Sequence, residues 1–247
     1  MAYPRLTIAL STYATNVYVA SRLLECIRSL EASGFPGRII VVDDGSKERR
    51  RVRTLTASSE HSTEPARTMP VELYQRSENG GIARCKNSCL KLIEEEPYEI
   101  GFLANDDLIF FRDWWVPYVD AIRITKHPHF CWSDHTKGTA AFKLNECVVY
   151  KTRQLDGHLM TFTPQVIQKV GGFQVCDSKW GWSHKPWTDR INRKFFPSIK
   201  KGHGLDVEGS NKVVCLQHSP SAITPQEKAA GRKVKILEEK MYVPLEE

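Results

Sequence analysis

The sequence predicts an α/β protein with a mostly parallel central sheet flanked by helices. Two observations predict it. Strand-like and helix-like segments alternate through the first half of the chain, the β-α-β order that yields parallel sheets covered by helices. Three of the four strands in that half also end in polar or acidic clusters: Ser11-Thr12-Tyr13, Asp43-Asp44 and Asn105-Asp106-Asp107. In open parallel sheets, ligands bind beyond the carboxyl ends of the strands.

The elements follow in order. Residues 5–12 (RLTIALST) read as a strand. Residues 17–32 read as a helix, with Val19, Leu23, Leu24, Ile27 and Leu30 at helical spacing before Gly34, Pro36 and Gly37. RIIVV (38–42) is a continuous β-branched run, as expected of a strand buried on both faces. After Asp43-Asp44-Gly45-Ser46 comes a basic helical stretch, then a polar, proline-containing loop over 57–69. VELYQ (71–75) is a third strand, 82–95 a helix, and 98–104 a fourth strand.

The second half is less regular. Residues 130–150 read as short strands and turns, and 166–173 as a helix ending at glycine. A Trp-, Gly- and His-rich stretch covers 180–187. Residues 212–218 read as a strand and 225–242 as a charged terminal helix. The organisation expected is a single domain with a ligand-binding half over 1–110, a second, mixed half over 111–222, and a helical tail over 223–247.

Length and composition bound the function. The 247 residues are ample for a buried core, and 41% hydrophobic and 26% charged residues are ordinary for a globular protein. The net charge of +6 is a mild excess that suits an anionic small molecule or an anionic membrane surface. The basic run Arg49-Arg50-Arg51-Val52-Arg53 reads as a solvated helix face, and no nucleic-acid-binding signature is present. The seven cysteines are scattered with no C-x-x-C pair, which favours buried reduced thiols over a disulfide framework or a zinc cluster. No apolar run approaches the ~18 residues of a transmembrane segment. The chain therefore reads as soluble and cytoplasmic, with peripheral membrane contact left open.

Four groups of residues could carry chemistry. Asp106 and Asp107 sit between two apolar runs, where paired carboxylates are costly unless neutralised. They suit a Mg2+ or Mn2+ ion bridging a diphosphate, since hard divalent ions take carboxylate oxygens and leave positions for phosphate. The pair also suits a strand-ending turn that caps the helix beginning near Trp114. Asp43 and Asp44 suit a base edge or ribose hydroxyls, or equally a capped strand-to-helix turn. Tyr13 could stack on a base. Asn79-Gly80-Gly81 opens a helix whose N-terminus favours phosphate, with Arg84 as an adjacent cation and Asn87 a turn further on.

Taken together, LTIALSTY (6–13), IIVVDDGS (39–46), ENGGIARCKN (78–87), FLANDDLIF (102–110) and VGGF (170–173) resemble the family 2 glycosyltransferases of the GT-A fold. The resemblance covers the first 110 residues well and the remainder loosely. It implies a metal-dependent, inverting transfer of a sugar from a nucleotide-diphosphate sugar to an acceptor hydroxyl on a carbohydrate or glycan. It assigns Ser11, Tyr13, Asp43, Asp44, Arg84 and Asp106 to the donor nucleotide, and Asp107, with Asp106 and His218, to the metal. Ala104-Asn105 stands where the family more often carries an aspartate, which leaves open which carboxylate meets the ion. Asp107 is favoured for the ion, and Asp106 for the donor ribose or a metal-bound water. On the acceptor side the family's Glu-Asp pair is Thr188-Asp189 here. That makes Asp189 the candidate general base, with Asp177 in reserve. Trp180 and Trp182 are candidates to stack on a sugar, and His203 to reach the diphosphate.

Two rival readings share this fold. A non-catalytic carbohydrate- or nucleotide-binding protein would hold nucleotide without turnover. A sugar-phosphate nucleotidyltransferase would carry a Gly-rich, Arg-containing loop after its first strand, and Ser11-Thr12-Tyr13-Ala14-Thr15 is no such loop.

Overall fold

The computed structural model describes residues 4–59, 70–133, 140–152, 157–175 and 184–215. Its centre is a five-stranded sheet in the order β3-β2-β1-β4-β8. The strands are β1 (Leu6–Thr12), β2 (Arg38–Asp43), β3 (Val71–Gln75), β4 (Ile100–Asn105) and β8 (Leu159–Phe162). The first four run parallel, and β8 is antiparallel to β4. β1 is buried at all seven positions, which its unbroken apolar and small residues allow.

The period-two alternation of these strands builds two cores. On one face Ile8, Leu10, Ile39, Val41 and Phe102 pack with Val19, Leu23, Ile27 and Leu30 of α1 (Val17–Ala32). On the other, Ala9, Ile40, Val42 and Leu103 pack with Cys85, Cys89 and Ile93 of α3 (Ile82–Glu94) and with Trp187 and Ile191 of α6 (His184–Phe195). Helix α1 starts where Asn16 accepts a hydrogen bond from the Val19 N–H at 3.1 Å. In α2 (Arg49–Ser59) Val52 is fully buried while Arg49, Arg50, Arg51 and Arg53 face outward. That is the solvated basic face expected. The helix runs three residues into the segment expected to be loop.

The remaining elements wrap the carboxyl edge of the sheet. β5 (Leu108–Phe110) leaves β4 by a tight turn and pairs antiparallel with β10 (Val213–Cys215), Leu108 opposite Cys215. α4 (Val116–Thr125) follows. β6 (Ala140–Leu144), β7 (Cys147–Thr152) and β9 (Gly204–Val207) form a separate antiparallel sheet in the order β6-β7-β9. The short helix α5 (Pro164–Val170) ends at Gly171, as its sequence predicts. α6 forms where the sequence read only an irregular aromatic stretch. Among the described residues no helix is long and apolar enough to cross a membrane. Cys26, Cys85, Cys89 and Cys131 are buried free thiols, and Cys147 and Cys215 are half-buried ones.

Asp206 ties this edge together. It is fully buried on β9 and accepts from the backbone N–H groups of Ser133 and Val207 and from the hydroxyls of Ser133, Ser210 and Tyr118. Burial pushes its pKa up to about 7, against the lowering effect of those donors. Asp206→Ala leaves the donors unpaired in the core. The expected cost is about 3 kcal/mol, read as a lower urea midpoint at unchanged m-value.

Candidate active site

The strand order reverses at β1. The chain builds β1, β2 and β3 outward to one side, then returns to place β4 on the other. Such a switch point opens a crevice at the carboxyl ends of the two strands. Register puts Ser11 level with Asn105, and Thr12 level with Asp43. The three clusters singled out in the sequence therefore meet along one edge.

Asp43 and Asp44 follow β2. Asp43 is fully buried. Its Oδ1 accepts from the Ser46 N–H at 3.0 Å and its Oδ2 from Gln75 Nε2 at 2.9 Å. Asp44 accepts from the backbone N–H of Gly80 at 3.1 Å and of Gly81 at 2.9 Å, with Arg76 Nη1 3.3 Å away. Burial raises the Asp44 pKa, opposed by those two N–H groups and Arg76. Asp44 thus fixes the Gly80-Gly81 turn that leads into α3. Close approach of the two turns demands Gly45: its φ is +70°, and a Cβ there would lie 2.4 Å from the Glu78 carbonyl carbon. Arg84 is exposed on the first turn of α3, and Tyr13 is half-buried just past β1. Ser11 is buried, its hydroxyl donating to the Ala104 carbonyl at 3.2 Å.

Asp106 and Asp107 have different surroundings. Asp106 is buried and accepts from Thr12 Oγ1 at 2.6 Å and from Arg22 Nη2 at 2.9 Å. Burial raises its pKa, opposed by the Arg22 charge and reinforced by the Asp107 charge. Asp107 instead faces His158, which immediately precedes β8, with Oδ1 3.3 Å from Nδ1. Burial alone would raise Asp107. The hydrogen bond and charge of His158, with the charge of Arg22, more than offset that and hold it below the ordinary value. Burial would likewise lower His158, but Asp107 and Cys215 push it up to about 10.

Cys215, the last residue of β10, brings its Sγ to 3.8 Å from the same Nδ1. Asp107, His158 and Cys215 thus offer one oxygen, one nitrogen and one sulfur, all within 4.8 Å of one another. Asn105 adds its Nδ2 at 3.4 Å from His158 Nδ1, while its buried Oδ1 has no partner among the described residues. The cluster is braced from behind. Buried Lys86 donates to the Gly157 carbonyl at 2.7 Å, and the Asn105 N–H donates to the His158 carbonyl at 2.8 Å. The Trp132 indole donates to the carbonyls of Ser210 and Val213, fixing the approach to β10.

The acceptor-side residues are held by α3 and α6. Asn87 clamps Phe173 through both its N–H and its carbonyl, Trp187 donates to the Gly171 carbonyl, and Arg190 donates to the Gly172 carbonyl. Thr188 is fully buried, 3.0 Å from His129 Nε2, while Asp189 lies beside it with Oδ1 accepting from the Gly202 N–H at 2.6 Å. His203 is half-buried in the turn after Lys200–Lys201. Trp180, Trp182, Asp177 and His218 lie outside the described residues.

Sequence reasoning missed Arg22, His158 and Cys215. Arg22 lies on the face of α1 turned toward the carboxyl edge, a placement no local pattern announces. His158 did carry a signal: it sits between Gly157 and the short apolar run of β8. Cys215 lies within the strand expected over 212–218, but was read only as a buried thiol.

This combination of sheet order, antiparallel edge strand and acidic turn after β4 is the GT-A fold of nucleotide-sugar glycosyltransferases. A mannosyltransferase of Pyrobaculum calidifontis, solved with GDP-mannose and Mn2+, superposes with a TM-score of 0.56 over 77% of this chain, at 19% identity. GalNAc-T7 with UDP, GalNAc and Mn2+ gives a TM-score of 0.61 over 83% of this chain at 10% identity, and Staphylococcus aureus TarS with UDP-GlcNAc gives 0.54 over 76% at 14%. The chain spans 52%, 42% and 53% of those three structures. An uncharacterized glycosyltransferase of Acanthamoeba polyphaga mimivirus is 27% identical over 223 residues, 87% of this chain and 82% of the viral protein. No protein-family profile matches the chain.

Proposed function

We propose that the chain is a glycosyltransferase that moves a sugar from a nucleotide-diphosphate sugar to an acceptor hydroxyl with the help of a divalent metal ion, inverting the anomeric centre. The observation that carries this reading is the convergence of Asp107, His158 and Cys215 at the switch point of a GT-A sheet. The donor set fits a divalent ion. Three ligands of mixed type with positions left for substrate is the pattern of catalytic rather than structural sites. Asn105 Oδ1, without a partner among the described residues, adds an acceptor for a bound water or hydroxyl. A bound ion would offset charge developing on the departing diphosphate.

The chain's own residues divide the work. Asp107 and His158 hold the ion. Asp106 is assigned to the scaffold rather than to the ion, because Thr12 and Arg22 already occupy its two oxygens with short hydrogen bonds. Asp44 fixes the turn of Gly80 and Gly81 beneath the nucleotide, Tyr13 supplies a ring for the base, and Arg84 supplies a solvent-facing cation for the phosphates. Asp189 takes the acceptor proton. The donor is bound by residues 1–110 and the acceptor by residues 111–222.

The test is a thermal-shift panel of UDP, GDP, CMP, dTDP and ADP, each with Mn2+, Mg2+ or EDTA. One diphosphate is expected to stabilise the protein by about 2.7 kcal/mol at a hundredfold excess over its dissociation constant, and EDTA to remove that gain. Stabilisation by no nucleotide overturns the donor site. Binding without release or transfer of sugar favours the non-catalytic reading.

A further inference from the structure

We propose that Cys215 is a metal ligand, and that Asp107, His158 and Cys215 together form an oxygen–nitrogen–sulfur site that takes a transition ion, Zn2+ more strongly than Mn2+, in preference to Mg2+. This deepens the assignment of an ion to Asp107 made above and rests on it.

Three features point to ligation rather than to hydrogen bonding alone. First, the carboxylate of Asp107 and the sulfur of Cys215 converge on one atom, His158 Nδ1, at 3.3 and 3.8 Å. A single ring N–H shared between two acceptors makes two long, weak bonds, whereas a lone pair on Nδ1 would meet one ion that all three groups could ligate. The 3.3 Å separation is also long for a charge-assisted hydrogen bond, which runs about 2.7–2.9 Å. Second, the two separations from His158 Nδ1, 3.3 and 3.8 Å, are close to the edges of a coordination polyhedron. Metal bonds of about 2.0–2.3 Å in tetrahedral geometry set oxygen–nitrogen and nitrogen–sulfur edges of roughly 3.4 and 3.6 Å. Third, the sulfur is placed by the fold. β10 pairs with β5 so that Cys215 stands opposite Leu108, the neighbour of Asp107. The Trp132 indole pins the strand through the Ser210 and Val213 carbonyls, and Lys86 and Asn105 pin the backbone on either side of His158.

The chemistry of the donor set decides the ion. Mg2+ demands oxygen ligands in near-octahedral array and keeps its waters. A thiolate and an imidazole favour later, softer ions. An ion held by only three side chains would have positions left for diphosphate oxygens, so the same three residues could serve the transfer reaction.

The experiment uses the full chain without any nucleotide. Co2+ is titrated in, and the near-ultraviolet thiolate-to-cobalt charge-transfer band is followed. One Co2+ per chain is expected, with a strong band. Cys215→Ser is expected to abolish the band and weaken cobalt binding by at least about tenfold, while Cys147→Ser changes neither. Zn2+ should displace Co2+ readily and Mn2+ only in excess, and Mg2+ should fail to do so at concentrations tenfold higher than Mn2+ requires. Cys215→Asp, which restores a charged ligand, should bind Co2+ without the band and narrow the preference for Mn2+ over Mg2+ by about tenfold or more.

Bound cobalt without the band, an unchanged affinity in Cys215→Ser, or displacement by Mg2+ as readily as by Mn2+ overturns the proposal. Because nucleotide is absent, failure of the donor reading leaves these outcomes intact. A cobalt band in a protein that no nucleotide stabilises would refute the transferase and keep the metal site.

Discussion

Asp107→Asn is expected to reduce metal-dependent sugar transfer on the order of 10³-fold while leaving the fold intact. The substitution is nearly isosteric, and asparagine can still meet His158, so packing at the end of β4 is preserved. What is lost is the negative charge that holds the ion against the diphosphate. A metal ion is worth several kcal/mol of charge stabilisation in the transition state, and each ~1.4 kcal/mol is a factor of ten in rate. The loss should appear in kcat and in the metal concentration needed for half-maximal activity. Excess Mn2+ should restore part of the activity, because His158 and Cys215 remain. Asp106→Asn should behave differently. Asp106 accepts from Thr12 and Arg22, so its loss takes from the Arg22 guanidinium the carboxylate it contacts and shows as lower stability as well as lower activity. Full metal-dependent activity in Asp107→Asn would remove the ion from this carboxylate.

The features that could be read in advance are those written locally. β1 and β2 are unbroken apolar runs because both of their faces are covered, and each ends in polar residues because the sheet ends there. Gly45 and Gly81 mark turns with positive φ, at +70° and +84°. The GT-A fold could be inferred from the order of such signals. The features that stayed hidden depend on long-range pairing. His158 meets Asp107 only because β8 runs antiparallel beside β4, and Cys215 arrives only because β10 returns to β5. Nothing within ten residues of either announces the partner. α6 was hidden for a related reason. Its sequence is rich in residues of modest helix propensity, with Pro186 in the first turn, and it is stabilised by what it buries. Trp187 stacks on Phe173, Ile191 lies a turn below, and Thr188 reaches His129. The burial of Thr188 in turn explains why a residue beside Asp189 need not be acidic: its side chain points into the core, where a glutamate would have to be buried.

Asp189, the acidic residue of α6, is the proposed general base, and its removal carries the second large effect. Asp189→Asn is expected to slow transfer to the acceptor by about 10²–10⁴-fold, the usual contribution of a general base. Oδ1 is engaged by the Gly202 N–H at 2.6 Å, and no hydrogen bond to Oδ2 is found among the described residues. One oxygen therefore orients the carboxylate while the other is left to take a proton. Asparagine can keep the bond to Gly202, so the 200–203 turn and α6 should stay in place. Nucleotide and metal binding, followed by thermal shift, should be unchanged, because the Asp189 carboxylate is held by the Gly202 N–H. The rate should fall in kcat with little change in the donor KM. If Asp189→Asn transfers sugar at the normal rate, the base lies elsewhere and Asp177 becomes the next residue to replace. If donor binding is lost together with transfer, Asp189 acts by positioning the 200–203 turn against the donor, and not by accepting the proton.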